Sequence, residues 1–482
     1  MVSGDLSVQD IISSTDSVYV KVYPDDLVYL SYSQVLKSQG IRDLFAVPDK
    51  NLNRSFFVPP ATVPPLPKDL RTDSIMEVVD FGISPEQLSE ISFASGEVTY
   101  STSISPASSN LKYEVNISLP DFISKTTNKP LNINTSGSGS ILLEDYLVQL
   151  DKNKFDMKLV LIFKQNSSPV VIGPGTFVNV KLSFLDMDFI YIKGFFGDQI
   201  ASLPSDTVEI GAFGTALDDA NVSFADPKIN LTVVNENGVP CEVDFKKLEG
   251  QKNGQSIGLT LNPANPISVA YPTTLGSSVE TSVAVTNVKD VLNFAPDRFY
   301  YQIDARINKG LTSGNNFLAD TSKITVRMDV EVPLYGQASD IELLDTLSLD
   351  LTDLDESNVD SASLKVKMTN ELPLDGNVQF YLTDENYGFI DSLLVSGQTN
   401  LIKGSTVTAS GDLESPGVLD QLLPLDKDKL NKVFSSKYVI VRARMNTSKD
   451  ATGAAIDVKF KSRYKMSVNL GLLASLKLTA KL

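Results

Sequence analysis

"DPKINLTVVNENGVPCEVDF", residues 226–245, returns in altered form as "SASLKVKMTNELPLDGNVQF", residues 361–380. Laid over each other without a gap, Ile229, Leu231, Val233, Asn235, Val243 and Phe245 fall on Leu364, Val366, Met368, Asn370, Val378 and Phe380, and only the proline slips, from Pro240 to Pro373. Each copy alternates apolar and polar residues, meets a turn built around Asn and Pro, and alternates again. Period-two alternation interrupted by turn residues is the pattern of a strand, a connection and a returning strand. The phrase therefore reads as a β-hairpin-like unit used twice.

Working outward, strand patterns fill most of the chain. "VYVKVY" (18–23) and "LVYLSY" (27–32) flank "PDD" as a hairpin, and "VPPATVPPLPKDLR" (58–71) follows as an extended linker or an arm laid over a neighbour, since proline cannot donate to a sheet ladder. "TFVNVKLSFLDMDFIYIKGFF" (176–196) is long enough for one bent strand or two joined by a bulge. Short helical patterns precede strands at 84–104, 286–308 and 424–446. These signals predict an all-β, elongated chain of tandem antiparallel β-sandwich or tubular domains: an N-terminal arm at 1–75, a first β-rich domain at 76–285 and a related second one at 286–482.

Composition narrows the function. The chain has 482 residues, 42 Lys and Arg against 59 Asp and Glu, and a net charge of -17, which repels nucleic acid and anionic lipid surfaces. It has no histidine and no tryptophan. Ser-His-Asp and Cys-His machinery, imidazole metal sites and the usual neutral-pH proton shuttle are thereby excluded. The single cysteine, Cys241, cannot form an intramolecular disulfide, and in its alternating segment it reads as a structural thiol. No enzyme and no cofactor are expected.

Individual motifs add little chemistry. "DLTDLDESNVD" places Asp350, Asp353, Asp355 and Asp360 as a weak Ca²⁺ candidate. Counted from Asp353, however, Asn358 and Leu364 stand where the hand-shaped calcium loop needs Gly and Glu. Asp218, Asp219 and Asp226 read as a turn between strands, and "SGSGS" (136–140) lacks the Lys-Ser/Thr ending of a phosphate loop. The aromatic-rich places, "RFYYQ" (298–302) and "FIYIKGFF" (189–196), read as strand packing. The apolar tail, "MSVNLGLLASLKLTAKL" from Met466, reads as a last strand; as an amphipathic membrane element it offers only Lys477 and Lys481.

The segments "GDLSVQDIISSTDSVYVKVYPDDLVYLSYS", "NVKDVLNFAPDRFYYQIDARIN", "ITVRMDVEVPLYGQASDIELLDTLSLDL" and "LKVKMTNELPLDGNVQFYLTDENYGFIDSLL" resemble segments of exported surface lipoproteins of Bacteroidota. "DPKINLTVVNENGVP" is also similar to the opening of the late embryogenesis abundant type 2 β-sandwich and, more distantly, to tubular lipid-binding domains. The first resemblance implies export to the outer membrane or cell surface, with a lipid at a removed N-terminus as the only membrane attachment. Asp-Ser/Thr-apolar triplets such as Asp16-Ser17-Val18 fit O-glycosylation in such proteins. The function expected is structural or binding, for a protein partner or an apolar ligand. Two alternatives stand beside it: a carrier would hold an apolar ligand in a hollow β domain, and an accessory subunit of a secretion or uptake complex would expose an apolar or aromatic patch.

Overall fold

The computed structural model describes residues 2–8, 19–40, 45–106, 111–202, 204–209, 221–349, 359–395, 399, 401–450 and 452–476. The fold is mostly β, with 64% strand and 4% helix, and one of its antiparallel sheets curls into a half-barrel. Among the described residues no helix is long and apolar enough to cross a membrane.

Among its described residues the N-terminal segment pairs with itself in one hairpin, in which Tyr19–Val22 pairs with the start of Val28–Gly40. Its strands β1 (Val2–Ser7), β2 (Val28–Gly40) and β3 (Lys50–Val58) join three different sheets, pairing with Lys465–Leu476, Lys323–Pro333 and Thr176–Phe195 respectively. The proline-rich stretch lies over the first of the units that follow. Ala61–Val63 pairs with Val170–Ile172, and Leu70–Arg71 pairs with Ile162–Phe163.

The first unit is the curled sheet, built on β4 (Gln87–Ser105), β5 (Tyr113–Ser124), β6 (Lys154–Phe163) and β7 (Thr176–Phe195). β7 is one bent strand: its register against β4 shifts between Leu185 and Tyr191, next to Asp186 at φ 50°. The helix expected after Ser84 is replaced by strand, because Gln87 and Leu88 pair with Phe195 and Gly194 of β7, and alternating burial prevails over the local capping signal. Inside the curl, Phe81, Phe122, Phe155 and Phe184 stack edge to face and tilted, with ring centroids 5.1 to 6.1 Å apart. Its interior is packed with rings.

The middle unit comprises β8 (Lys228–Asn235), β9 (Cys241–Lys252), β10 (Val279–Val285), helix α1 (Val288–Asn293), β11 (Arg298–Ile307) and β12 (Lys323–Pro333). The last comprises β13 (Ile341–Ser348), β14 (Val359–Asn370), β15 (Leu374–Thr383), β16 (Phe389–Ser392), β17 (Gly417–Leu425), helix α2 (Lys427–Phe434), β18 (Tyr438–Thr447) and β19 (Lys465–Leu476). In the middle unit β8 lies between β12 and β10, and β9 beside β11. In the last unit β14 lies between β19 and β17, and β15 beside β18. Each helix leads into the strand that pairs with β9 or β15. Pairing thus runs across residue 285, where the strand signals alone put a boundary: β11 and β12 complete sheets begun by β9 and β8.

The repeated phrase is not a hairpin. β8 and β9 lie in different sheets, as do β14 and β15, so each phrase carries the chain from one layer of a sandwich to the other. The asparagine makes the corner. Asn235 and Asn370 are both fully buried. Asn235 Oδ1 accepts from the Asn237 N–H at 2.9 Å, and Asn370 Oδ1 from the Leu372 N–H at 3.0 Å. Their Nδ2 atoms donate to Ala270 O in one copy and to Leu374 O and Lys403 O in the other. A short amide side chain that bonds its own backbone two residues on substitutes for ladder bonds where the strand leaves its sheet.

The first and middle units share one continuous apolar interior, and the last unit has its own. The arm feeds both. Leu30, Leu36, Leu52 and Phe56 enter the shared interior, whereas Val8, with Leu6 beside it, enters that of the last unit.

Candidate functional site

Asp350, Asp353 and Asp355 lie outside the described residues, as do Asp218, Asp219 and Asp16-Ser17-Val18, while Asp360 falls within β14. In "RFYYQ", Phe299 and Tyr301 point into the core and Tyr300 points outward beneath Lys247, 5.8 Å from its ring. In "FIYIKGFF", Phe189, Ile192, Phe195 and Phe196 are core residues. Cys241 is buried, and desolvation pushes its thiol up to about 12, far from a thiolate nucleophile at neutral pH. Lys465–Leu476 of the tail is a central strand, between β1 and β14. Among the described residues, none of these positions assembles a reactive group.

The feature that stands out is the outer face of β13-β18-β15-β16. Alternation in β15 sends Val378, Phe380 and Leu382 inward and Asn377, Gln379, Tyr381 and Thr383 outward. Register sets Ile440 opposite Tyr381 and Tyr438 opposite Thr383. The turn after β15 then brings Tyr387 onto Tyr438, stacked at 4.8 Å and 15°, while Phe389 meets Tyr381 edge to face at 6.1 Å. Thr383 is buried beneath these rings, yet Tyr387 and Phe389 remain 57% and 67% exposed. Beside the rings, Arg442 pairs with Glu342, and Arg444 stands 3.8 Å from the same carboxylate.

The rim of this face is held firmly. Asp391, at the end of β16, takes hydrogen bonds from Lys429 at 2.9 Å and from Lys432 at 3.0 Å, both on α2. Bonding to Lys429 first, then to Lys432 and the Ser392 N–H, outweighs burial and brings the Asp391 carboxyl down to about 2. Asp426 caps α2 by accepting from the Lys429 N–H at 2.8 Å. The strand that carries Phe389 is thus clamped to a helix.

The middle unit presents the corresponding face in another chemistry. Opposite Arg306, Asp304, Gln302 and Tyr300 of β11 stand Glu242, Asp244, Lys247 and Glu249 of β9. Ion pairs cover it: Lys309 to Glu242 at 2.7 Å, Arg306 to Asp198 at 2.7 Å, and Lys246 to Asp244. The overlay of the two phrases sets Asn377 and Gln379 against Glu242 and Asp244, polar against charged, but ends at Phe380, one residue before Tyr381. Tyr387, Phe389 and Tyr438 lie beyond the repeated phrase and gave no such signal.

No family model matches the chain, and no curated protein matches it. Among solved structures, a protein of Parabacteroides distasonis that is inferred to be secreted aligns with 58% of this chain and 88% of its own, at 14% identity and a TM-score of 0.33.

Proposed function

We propose that this chain is a non-enzymatic exported protein of the cell envelope or surface whose last sandwich docks on a protein partner. The observation that carries the reading is the aromatic face built on β15 and β18, where the equivalent sheet of the middle unit is charged. Clustered tyrosines with neighbouring arginines are the composition of interface anchors, because they bury large area at little cost in side-chain entropy. Export is supported by the resemblance of the chain's segments to Bacteroidota surface proteins. An apolar carrier is the weaker reading. The curled sheet is filled by phenylalanine rings, and a cavity beside Phe224, Leu334 and Phe460 holds about 60 Å³, against roughly 300 Å³ or more for a small-molecule site.

A photo-crosslinking amino acid at position 389 in the native envelope tests this, with the same probe at 247 as control. One discrete crosslinked protein from 389 and none from 247 is expected, with at least a tenfold loss on Tyr387→Ala. Absence of any crosslink from 389, or the same products from both positions, overturns the reading. A lipid retained in native mass spectrometry alongside an uncrosslinked face would favour the carrier instead.

A further inference from the structure

One end of the outer face of the curled sheet differs from the two faces described above. Where β3, β7 and β4 run side by side, Ser55, Asn179 and Ser103 form one outward row, and Phe57, Phe177 and Ser105 form the next. Among the outward positions of these paired stretches, residues 51–57, 177–183 and 99–105, Lys181 alone is charged. Ordinary surfaces are about a quarter to a third charged, and this chain as a whole carries -17. Asparagine is disfavoured in strands, so Asn51, Asn53 and Asn179 are not what sheet stability would select. The rows are tied across the strands, Ser55 Oγ donating to Asn179 Oδ1 at 2.7 Å and Ser183 Oγ to Asn51 Oδ1 at 2.6 Å, so the face is an ordered array of hydroxyl and amide groups. At the end of the face Phe57 is 57% and Phe177 39% exposed, their rings 5.5 Å apart.

We infer that this face binds a neutral polysaccharide. An uncharged polymer of hydroxyl groups offers no counter-charge, so any charged side chain beneath it would be desolvated without compensation. Hydroxyl and amide groups, in contrast, exchange their water for sugar hydroxyls at small cost, directly or through bridging water. The strand spacing of about 4.8 Å repeats these donors and acceptors regularly, as a polymer with a regular repeat requires. The exposed Phe57 and Phe177 rings supply the apolar surface on which the C–H face of a sugar ring stacks. The site is separate from the aromatic face of the last unit and does not depend on it.

Native electrophoresis of the full chain through gels containing a neutral glucan, mannan, galactan or xylan tests the inference. Retardation by at least one polymer is expected. Phe57→Ser combined with Phe177→Ser, and separately Ser103→Glu, should each weaken it about tenfold with thermal unfolding unchanged, whereas Tyr387→Ala leaves it intact. Retardation by none of the four, or retardation unaltered in both variants, overturns the site. Binding only to an acidic polymer, abolished by Lys181→Gln, also overturns it.

Discussion

At four outward positions of β9 the middle unit carries Glu242, Asp244, Lys247 and Glu249; at the matching positions of β15 the last unit carries Asn377, Gln379, Tyr381 and Thr383. The strands occupy the same place in their sandwiches, follow the same asparagine corner and pair with the same helix-led neighbour. What the two copies share is therefore the requirement of the fold, and what differs is free of it. The charged face is the solvated solution that a sheet needs if it meets only water. The aromatic face is maintained despite two rings more than half exposed, and exposed apolar clusters of this kind mark contact surfaces.

The comparison breaks first at the corners, where the largest effects are expected. Asn370→Ala leaves the Leu372 N–H and the carbonyls of Leu374 and Lys403 without their partner, and Asn235→Ala does the same to the Asn237 N–H and Ala270 O. Each buried orphan costs about 1–3 kcal/mol, so both substitutions should destabilise by about 3 kcal/mol in urea unfolding. Cys241, buried within the middle unit, reports where the opening occurs. Asn235→Ala should accelerate thiol labelling strongly and Asn370→Ala hardly at all. Equal acceleration by both would mean that the two sandwiches open as one cooperative body.

The arm gives the next effect and sharpens the contrast. In the last unit the terminal strand β1 closes one edge of the sheet, pairing Val2 to Ser7 with Leu470 to Lys465, and Val8 is 1% exposed in the core. Val8→Asp, an uncompensated charge in that core, should cost about 3 kcal/mol and be felt in the last unit alone. Removal of residues 1–8 should additionally bare the edge of β19 and promote concentration-dependent association in light scattering. A truncated chain that stays monomeric with unchanged stability would show that β1 is not required to complete the sandwich.

How far the sequence discloses this follows from the range of the interactions involved. Alternation in "KINLTVVN" and "LKVKMTN" is local, so strands and their buried faces are readable from it. The choice between hairpin and corner is not, because it depends on which distant strand satisfies the ladder: β12 lies about a hundred residues beyond β8, and β19 about a hundred beyond β14. The same holds for the arm, whose first strand finds its partner at the other end of the chain. The helix expected after Ser84 failed for the converse reason, a local capping pattern being overridden by pairing with β7. The candidate face combines residues from β15, the following turn and β18. None of its rings lies within the repeated phrase, which ends one residue before Tyr381, and the alternation that places Tyr381 outward cannot say what stacks on it.

The smallest effect concerns the clamps behind the two faces. Asp391 holds α2 against β16, and Asp198 holds the end of β11 through Arg306 at 2.7 Å and the Gly310 N–H at 2.9 Å. Hydrogen bonding to these partners brings both carboxyls down to about 2. A carboxyl whose folded pKa lies below its unfolded value of about 4 contributes stability above that value, and the contribution is lost as pH falls from about 4 to 2. With solvent screening, the Asp391 contribution should be at most about 1 kcal/mol. Urea unfolding of Asp391→Asn should therefore fall short of the parent protein at pH 6 and converge with it near pH 2. Asp198→Asn should show the same convergence, with accelerated Cys241 labelling at pH 6 as its signature in the middle unit. If the deficit of Asp391→Asn instead persists unchanged at low pH, the aspartate acts through packing and not through its charge, and the rim of the aromatic face is held by shape alone.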